Sequence, residues 1–208
     1  MTFDPPKKKR GVPRTSDQPS RRATDTLQMK RSFVLVVLLA ALLTSVSGSA
    51  NVAEGTGLRT AGLQTLNRDV LTQLNALRVT RGLRPLAASD ELRQAALSHS
   101  RAMLNGGFFA HESKSAPSLS NRLRGYYRSA GYDSWSVGEN LLYSTAALEA
   151  AAAIDAWLAS PGHRKNMLDP NWREVGIGAL YARSAGGTFG GGPVWIITAE
   201  FGARSNPR

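Results

Sequence analysis

The chain has 208 residues, a formal net charge of +11 and no cysteine. Without cysteine it can form no disulfide, no thiolate metal site and no lipoprotein anchor. The length allows one ordinary domain and an export segment. A domain of about 150 residues buries roughly two thirds of its unfolded surface, so it needs neither disulfides nor a structural metal to fold.

Much of the positive charge lies at the N-terminus. Residues 1–32 hold nine Lys or Arg against three Asp, a net +6, which leaves +5 for the rest of the chain. The stretch Pro6–Arg10 resembles a nucleic-acid or nuclear-import patch, but an export signal follows it, so we expect no nucleic-acid partner. The remaining excess is scattered Arg, which is typical of a solvated surface with at most a mild affinity for anionic envelope polymers.

The first fifty residues read as targeting sequence rather than as a folded domain. Residues 1–28 are rich in Pro, Ser, Thr and Arg. We therefore expect either a disordered basic tail or sequence that precedes a true start at Met29. Residues 29–50 combine Met-Lys-Arg, an apolar run over 33–46 and small residues over 47–50, which is the layout of a cleavable secretory signal. The alternative is a single N-terminal membrane anchor, and we expect no other membrane contact.

The chain after this segment begins with helices. Residues 51–62 contain three glycines and predict a flexible linker. The apolar spacing from Leu63 predicts a helix to Arg81, which Gly82 ends. Ser89 or Asp90 begins a second helix that ends at Gly106-Gly107.

Further short elements follow. Ser118 or Ser120 opens a third helix through Tyr127, and Trp135–Leu142 is a short strand or an irregular loop. Ser144 or Thr145 begins an alanine-rich helix that Pro161-Gly162 ends, and a single turn follows at Arg164–Leu168.

Two strands close the chain. Glu174–Ala182 and Val194–Phe201 are rich in apolar and β-branched residues, and the glycine-rich stretch Ser184–Gly192 is the loop of the hairpin between them. Helices followed by an antiparallel pair predict an α+β domain over residues 63–208, with helices packed on a small antiparallel sheet.

Six segments follow one another along the chain: Leu74–Arg78, Gly107–His111, Gly138–Asn140, Trp157–Leu168, Glu174–Gly178 and Trp195–Gly202. In this order they resemble the bacterial branch of the CAP superfamily, also called SCP-like domains. Each motif is weak alone, but their order and spacing together are specific. The resemblance implies an α-β-α sandwich with a central cleft.

The resemblance also implies which residues line that cleft. His111 matches the first histidine of the family, Glu139 the acid of the Gly-Glu-Asn motif and His163 the second histidine. We add the neighbouring Asn140 to the expected cleft. Ser160 stands where the family usually has a second acid, so any mechanism that needs two carboxylates is in doubt.

The chemistry of these side chains leaves three interpretations open. Two imidazoles and one carboxylate are sufficient for a first-row divalent ion, zinc being the first expectation, with His111, His163 and Glu139 as ligands. The same groups could do general acid–base work. Alternatively, Glu139 hydrogen-bonds backbone amides and His163 only orders the turn before Asn166.

Other candidates for chemistry are weaker. His99 lies within the second helix near its apolar face, where a core or cleft-wall role is expected rather than metal ligation. Ser160 is three residues from His163, but no Gly-x-Ser-x-Gly elbow surrounds it, which argues against a nucleophile.

The sequence therefore favours a secreted or cell-envelope CAP domain that binds a small-molecule, lipid or envelope ligand, with or without a divalent ion. An extracellular hydrolase that uses the same cleft is the first alternative, and a structural envelope module with a degenerate cleft is the second. We expect a binding module rather than an enzyme.

Peptide mass spectrometry of cells and medium tests the targeting prediction. We expect a mature species that begins near Asn51, because residues 47–50 are the small residues that signal peptidase requires. Cellular peptides from Thr15–Arg21 would contradict a start at Met29, and an intact chain in the membrane would favour the anchor.

Overall fold

The structure is a computed structural model that describes residues 50–113 and 118–206, with side chains from residue 60 onward. The predictions for residues 1–28 and for most of the signal segment lie outside these residues. The described helices and strands, in chain order, are α1 (Ala50–Thr80), β1 (Ala87–Ala88), α2 (Asp90–Gly106), α3 (Leu119–Arg124), β2 (Ser134–Ser144), α4 (Ala150–Ala159), α5 (Pro161–Leu168), β3 (Glu174–Ala182) and β4 (Val194–Ser205).

The strands form one four-stranded sheet in the order β1-β3-β4-β2. β3 pairs with β4 and β4 pairs with β2, both antiparallel, as the sequence predicts for the hairpin. The two-residue β1 adds a parallel edge beside β3, so that the sheet is mixed rather than purely antiparallel. Residues 134–144 form a strand, and β2 is the other edge of the described sheet.

The helices cover the two faces of this sheet. On one face, α1 and α4 enclose the larger core, in which Val70, Leu74 and Trp157 meet Ile197 and Phe201 of β4. α2 packs on β3 and β4 from the other face. The layer of α1 and α4, the sheet and the layer of α2 confirm the α-β-α sandwich and the α+β class.

The N-terminal end of α1 differs from the prediction. The helix begins at Ala50 rather than Leu63, so the predicted linker over residues 51–62 is helical. The prediction treated three glycines as breakers, but a glycine within a helix costs only about 1 kcal/mol relative to alanine. The stretch contains no proline, which would have ended the helix.

The helices that precede the site have the predicted caps. The Ser89 hydroxyl accepts the Leu92 N–H at 3.4 Å, and Gly107 ends α2 in the left-handed region at φ 63°. Ser118 caps α3 by accepting the Asn121 N–H at 3.2 Å. α3 ends at Arg124, before the predicted Tyr127.

The boundaries around α4 and α5 correct two further predictions. Ser144 continues β2, and its hydroxyl accepts the Ala146 N–H in a turn, so α4 begins only at Ala150. Pro161 ends α4 as expected but also occupies the first turn of α5, where the fixed φ of proline suits a helix start. α5 is therefore an eight-residue helix rather than the single predicted turn.

Within the described part of the chain, no helix has the length and apolarity needed to cross a membrane. The apolar run over residues 33–46 lies outside that part.

The closest approach of α2 to β3 provides a test of the layered packing. A Cβ on Gly176 would collide with the backbone at Arg93 and Leu92. We expect Gly176→Ala to destabilise the protein by about 1–3 kcal/mol or more, because the helix must move away from the sheet. Urea unfolding measures the change.

Gly125→Ala is the matched control. Gly125 has φ −69°, and the nearest atom to an added Cβ is 3.8 Å away. We expect this substitution to be neutral or to stabilise the protein by roughly 0.4–1 kcal/mol. Equal unfolding midpoints for the two variants would contradict the close packing at Gly176.

Candidate functional site

A cleft of about 410 Å³ lies at the edge strand β2, where the helical layers on both faces of the sheet meet. His111 reaches it from the segment after α2, Glu139 from β2 and His163 from α5. Ser160, between α4 and α5, also lines it. The full set of lining residues is His111, Leu119, Gly138, Glu139, Ser160, Gly162, His163 and Asn166. The structure thus places the two predicted histidines and the predicted acid in one open cavity.

Glu139 is the buried centre of this cavity, with a side chain that is 0% exposed. Its Oε1 accepts a hydrogen bond from His111 Nδ1 at 2.7 Å, and its Oε2 accepts one from Arg122 Nη2 at 2.5 Å. Among the described residues, the partners of Glu139 are therefore side chains and not the backbone amides of the alternative interpretation. Both carboxylate oxygens contact side chains instead.

Arg122 and Glu200 belong to the same network, although no sequence motif indicated either residue. Glu200 lies on β4 directly opposite Glu139 in the register of β2 and β4. Its Oε1 accepts a hydrogen bond from Arg122 Nη1 at 2.6 Å, so one guanidinium joins two buried carboxylates. The sequence did contain a signal for Glu200. An acidic residue within the apolar central strand β4 must have a charged or hydrogen-bonding partner, because an unpaired buried charge is costly.

Asn140 is not among the residues that line the cleft, which corrects that prediction. Successive side chains of a strand point to opposite faces, so Asn140 points away from the face on which Glu139 meets His111. It is fully buried, and its Nδ2 donates to the His163 carbonyl at 3.0 Å. Asn166 Nδ2 donates to Asn140 Oδ1 at 3.0 Å and to the Glu139 carbonyl at 2.8 Å. The two asparagines therefore fix α5, and with it His163, against β2.

His99 is buried beside Glu139 and is not among the residues that line the cleft, which fits the core role among the two expected for it. Its Nε2 donates to the Ala110 carbonyl at 2.9 Å and lies 3.7 Å from Glu139 Oε2, beyond hydrogen-bonding distance. Its buried Nδ1 has no hydrogen-bond partner among the described residues. Because Ala110 directly precedes His111, this bond helps to hold the segment that carries His111.

The surroundings shift the pKa values of the two cleft histidines in opposite directions. The hydrogen bond to Glu139 is the main cause that raises the pKa of His111. Burial, and then the charge of His111, lower the pKa of His163. The cleft therefore pairs an imidazole that readily holds a proton with one that readily stays neutral.

The pKa values of the two buried carboxyl groups, Glu139 and Glu200, are also shifted in opposite directions. Burial alone would raise the pKa of Glu139, but the His111 hydrogen bond and the charge of Arg122 bring that pKa below its usual value. Burial and the nearby charge of Glu139 hold the pKa of Glu200 well above its usual value, although Arg122 opposes the shift. Glu139 is thus the group that carries the negative charge of the network.

This geometry changes the ligand set expected for a metal. The described residues contain no group of three or more His, Cys, Asp or Glu side chains placed to hold an ion. Glu139 is a poor third ligand because both its oxygens are engaged, one with a guanidinium. The imidazoles of His111 and His163 remain as donors. A carboxylate that accepts the second ring N–H of a histidine is the usual outer partner of a zinc-bound imidazole.

Comparison with protein families identifies the domain. The model of the CAP family, described as the cysteine-rich secretory protein family, matches residues 71–199, more than half of the chain. An uncharacterized membrane protein of Bacillus subtilis, YlbC, is 32% identical over 114 residues, which cover 55% of this chain and 31% of YlbC. The uncharacterized B. subtilis protein YkwD is 29% identical over 143 residues, 67% of this chain and 53% of YkwD. The matches span about a third and about half of these relatives.

Two solved structures share the fold. An extracellular protein of Bacillus anthracis that contains an SCP domain aligns with a TM-score of 0.51 and 23% identity, over 76% of this chain and 44% of the other. An outer surface protein of Borrelia burgdorferi aligns with a TM-score of 0.51 and 18% identity, over 65% of this chain and 90% of the other. At these identities the likeness concerns the fold alone.

NMR titration of the imidazoles tests the electrostatics of the cleft. We expect His111 to titrate above the reference value of 6.5 and His163 below it. In His111→Asn, the pKa of His163 should rise toward 6.5, because the neighbouring positive charge is lost. A pKa of His163 above that of His111 would contradict this geometry.

The same shifts fix the sign of the pH dependence of stability. The contribution of His111 is fully present below pH 6.5 and is lost as the pH rises through its raised pKa. The contribution of His163 is present above pH 6.5 and is lost as the pH falls through its lowered pKa. His111→Asn should therefore reduce the loss of stability that accompanies a rise in pH above 6.5, as measured by urea unfolding at several pH values.

Proposed function

Because the chain belongs to the CAP family, we propose that it is an extracytoplasmic binding module that holds a small polar ligand between His111 and His163. The export signal predicted over residues 29–50 supports this location. The two proteins with the same fold, which are described as extracellular and as an outer surface protein, support it as well.

The orientation of His111 is the observation that carries the proposal. Its Nδ1–H donates to Glu139, so its Nε2 is the nitrogen left for a ligand, on a side chain that is 51% exposed. His163 adds a second imidazole on the α5 side of the same cavity. With Nε2 of His111 and the ring of His163 facing one cavity, the imidazoles can present both hydrogen-bond donors and acceptors, which suits a polar ligand.

Binding fits this arrangement better than hydrolysis does. A nucleophilic serine requires a base within hydrogen-bonding distance, and no hydrogen bond joins the Ser160 hydroxyl to an imidazole within the described residues. Glu139 cannot readily serve as a general base while His111 and Arg122 occupy its two oxygens. The hydrolase alternative would need these contacts to be replaced first.

A divalent ion is the ligand for which the cleft offers a specific feature. Glu139 orients His111 as an outer carboxylate orients a zinc-bound imidazole, and the predicted role of Glu139 changes from metal ligand to orienting group. His111 Nε2 and His163 would hold the ion, and water would fill the other positions. Bound there, zinc would supply a Lewis acid to a polar ligand in the cleft.

Thermal unfolding with zinc chloride as the probe tests the proposal. A ligand that binds only the folded state stabilises it by about 2.7 kcal/mol at a hundredfold excess over its Kd. We therefore expect zinc to raise the Tm of the parent protein and to leave the His111→Ala/His163→Ala double variant unchanged. Magnesium, which prefers oxygen ligands, is the matched ion and should have no effect on either protein.

An unchanged melting curve at saturating zinc would contradict the metal site and favour a structural module with a degenerate cleft. An equal rise in the double variant would place zinc elsewhere on the protein. Turnover of ester or glycoside substrates that is lost in the double variant would favour the hydrolase instead.

A further inference from the structure

We infer that Arg122 and Glu200 are positioning residues of the cleft. The guanidinium, held between two buried carboxylates, fixes Glu139 so that His111 presents Nε2 to a ligand. This inference deepens the proposed function and rests on it for the consequence in binding, but the geometric part can be tested without any ligand.

The first step concerns how Glu139 is held. A carboxylate with a single partner can rotate about its terminal bond, but Glu139 is bonded at Oε2 by Arg122 and at Oε1 by His111. Arg122 is itself bonded at its second terminal nitrogen by Glu200. The guanidinium is a rigid planar fork, so holding both of its arms sets the plane in which Glu139 meets His111.

Burial explains why Glu200 is needed. The Arg122 side chain is 9% exposed and the Glu200 side chain 0% exposed. Arg122 Nε has no partner among the described residues. If the Glu200 oxygen were removed, Nη1 would also lose its partner, and a buried charged donor left unpaired carries a desolvation cost. The guanidinium would then be expected to turn away from the site.

The short helix α3 is held by an apolar cluster and by the ion pairs of Arg122. Leu123 is fully buried, and Leu119 packs against the same cluster. Arg122 adds the polar attachment of α3 to Glu139 of β2 and Glu200 of β4. Leu119 at the start of α3 lines the cleft, so the same ion pairs also place one wall of the cavity.

The consequence appears in the tautomer of His111. When the ring is neutral, an ionised Glu139 at Nδ1 requires the proton on Nδ1 and leaves the lone pair on Nε2. A Glu139 that has lost its fixed plane no longer imposes this choice, and both tautomers become populated. A ligand that needs the Nε2 lone pair would then bind more weakly.

The test compares variants of Arg122 and Glu200 by ¹⁵N NMR of the His111 ring in the ligand-free protein, at a pH at which the ring is neutral. We expect the Nδ1–H tautomer in the parent and in Glu200→Gln, which keeps an oxygen for Arg122. Arg122→Lys, whose single ammonium lacks the planar two-armed fork, and Glu200→Leu, which accepts no hydrogen bond, should show a mixture. Arg204→Lys is the matched control, because Arg204 pairs with Glu91 rather than with Glu139.

Calorimetric titration with zinc chloride provides the second readout. We expect Arg122→Lys and Glu200→Leu to bind zinc roughly 10–100-fold more weakly than the parent, the usual effect of losing an outer partner of a ligating histidine. Glu200→Gln should restore near-parent affinity. If zinc fails to bind the parent while the tautomers shift as expected, the metal site of the proposed function is wrong and the positioning role stands.

An unaltered His111 tautomer in both Arg122→Lys and Glu200→Leu would overturn the inference, and so would an equal change in Arg204→Lys. If either single variant unfolds, Glu200→Met takes its place, because it removes the oxygen that accepts from Arg122 Nη1 at a similar side-chain volume and keeps the bond from Arg122 to Glu139. Glu200→Met must show the tautomer mixture for the inference to hold.

Discussion

The site depends on one constraint, the compensation of the buried carboxylate of Glu139. An ionised carboxylate with no exposed surface is stable only when it is paired and fully hydrogen-bonded. Here an imidazole and a guanidinium provide the two bonds, and they come from different elements, the segment after α2 and the helix α3. Satisfying this charge therefore places His111 and one wall of the cleft together.

The position of β2 at the edge of the sheet explains why this network opens onto a cavity. An edge strand leaves backbone groups that would otherwise invite pairing with another strand. Here Asn166 donates to the Glu139 carbonyl and Trp157 Nε1 donates to the Leu141 carbonyl at 3.1 Å. Side chains of α4 and α5 thus occupy the centre of this edge, and they hold His163 next to the strand that carries Glu139.

Sequence patterns predicted much of the fold because its signals are local. Ser89 and Gly107 bound α2 through their own cap geometry, and the apolar and β-branched residues over Glu174–Ala182 identified β3. The start of α1 was missed because glycines were treated as breakers where no proline followed. The two-residue β1 has too few residues to show any periodicity, and only its pairing with β3 defines it.

The sequence predicted only those site residues that belong to recognisable motifs. His111, Glu139 and His163 stand at positions that match the family, and the structure places them around one cavity. The contacts between Arg122 and Glu200 join residues 78 positions apart, and neither local spacing nor the matched motifs indicated them. For the same reason the sequence could not distinguish a Glu139 that binds a metal from one that orients a histidine.

A crystal structure of the protein soaked with zinc, with the metal located by anomalous scattering, tests the orienting role of Glu139 most directly. The predicted result is a metal about 2.0–2.1 Å from His111 Nε2, with Glu139 still hydrogen-bonded to His111 Nδ1 and Arg122. Direct coordination of the metal by the Glu139 carboxylate, with Arg122 displaced, would contradict it.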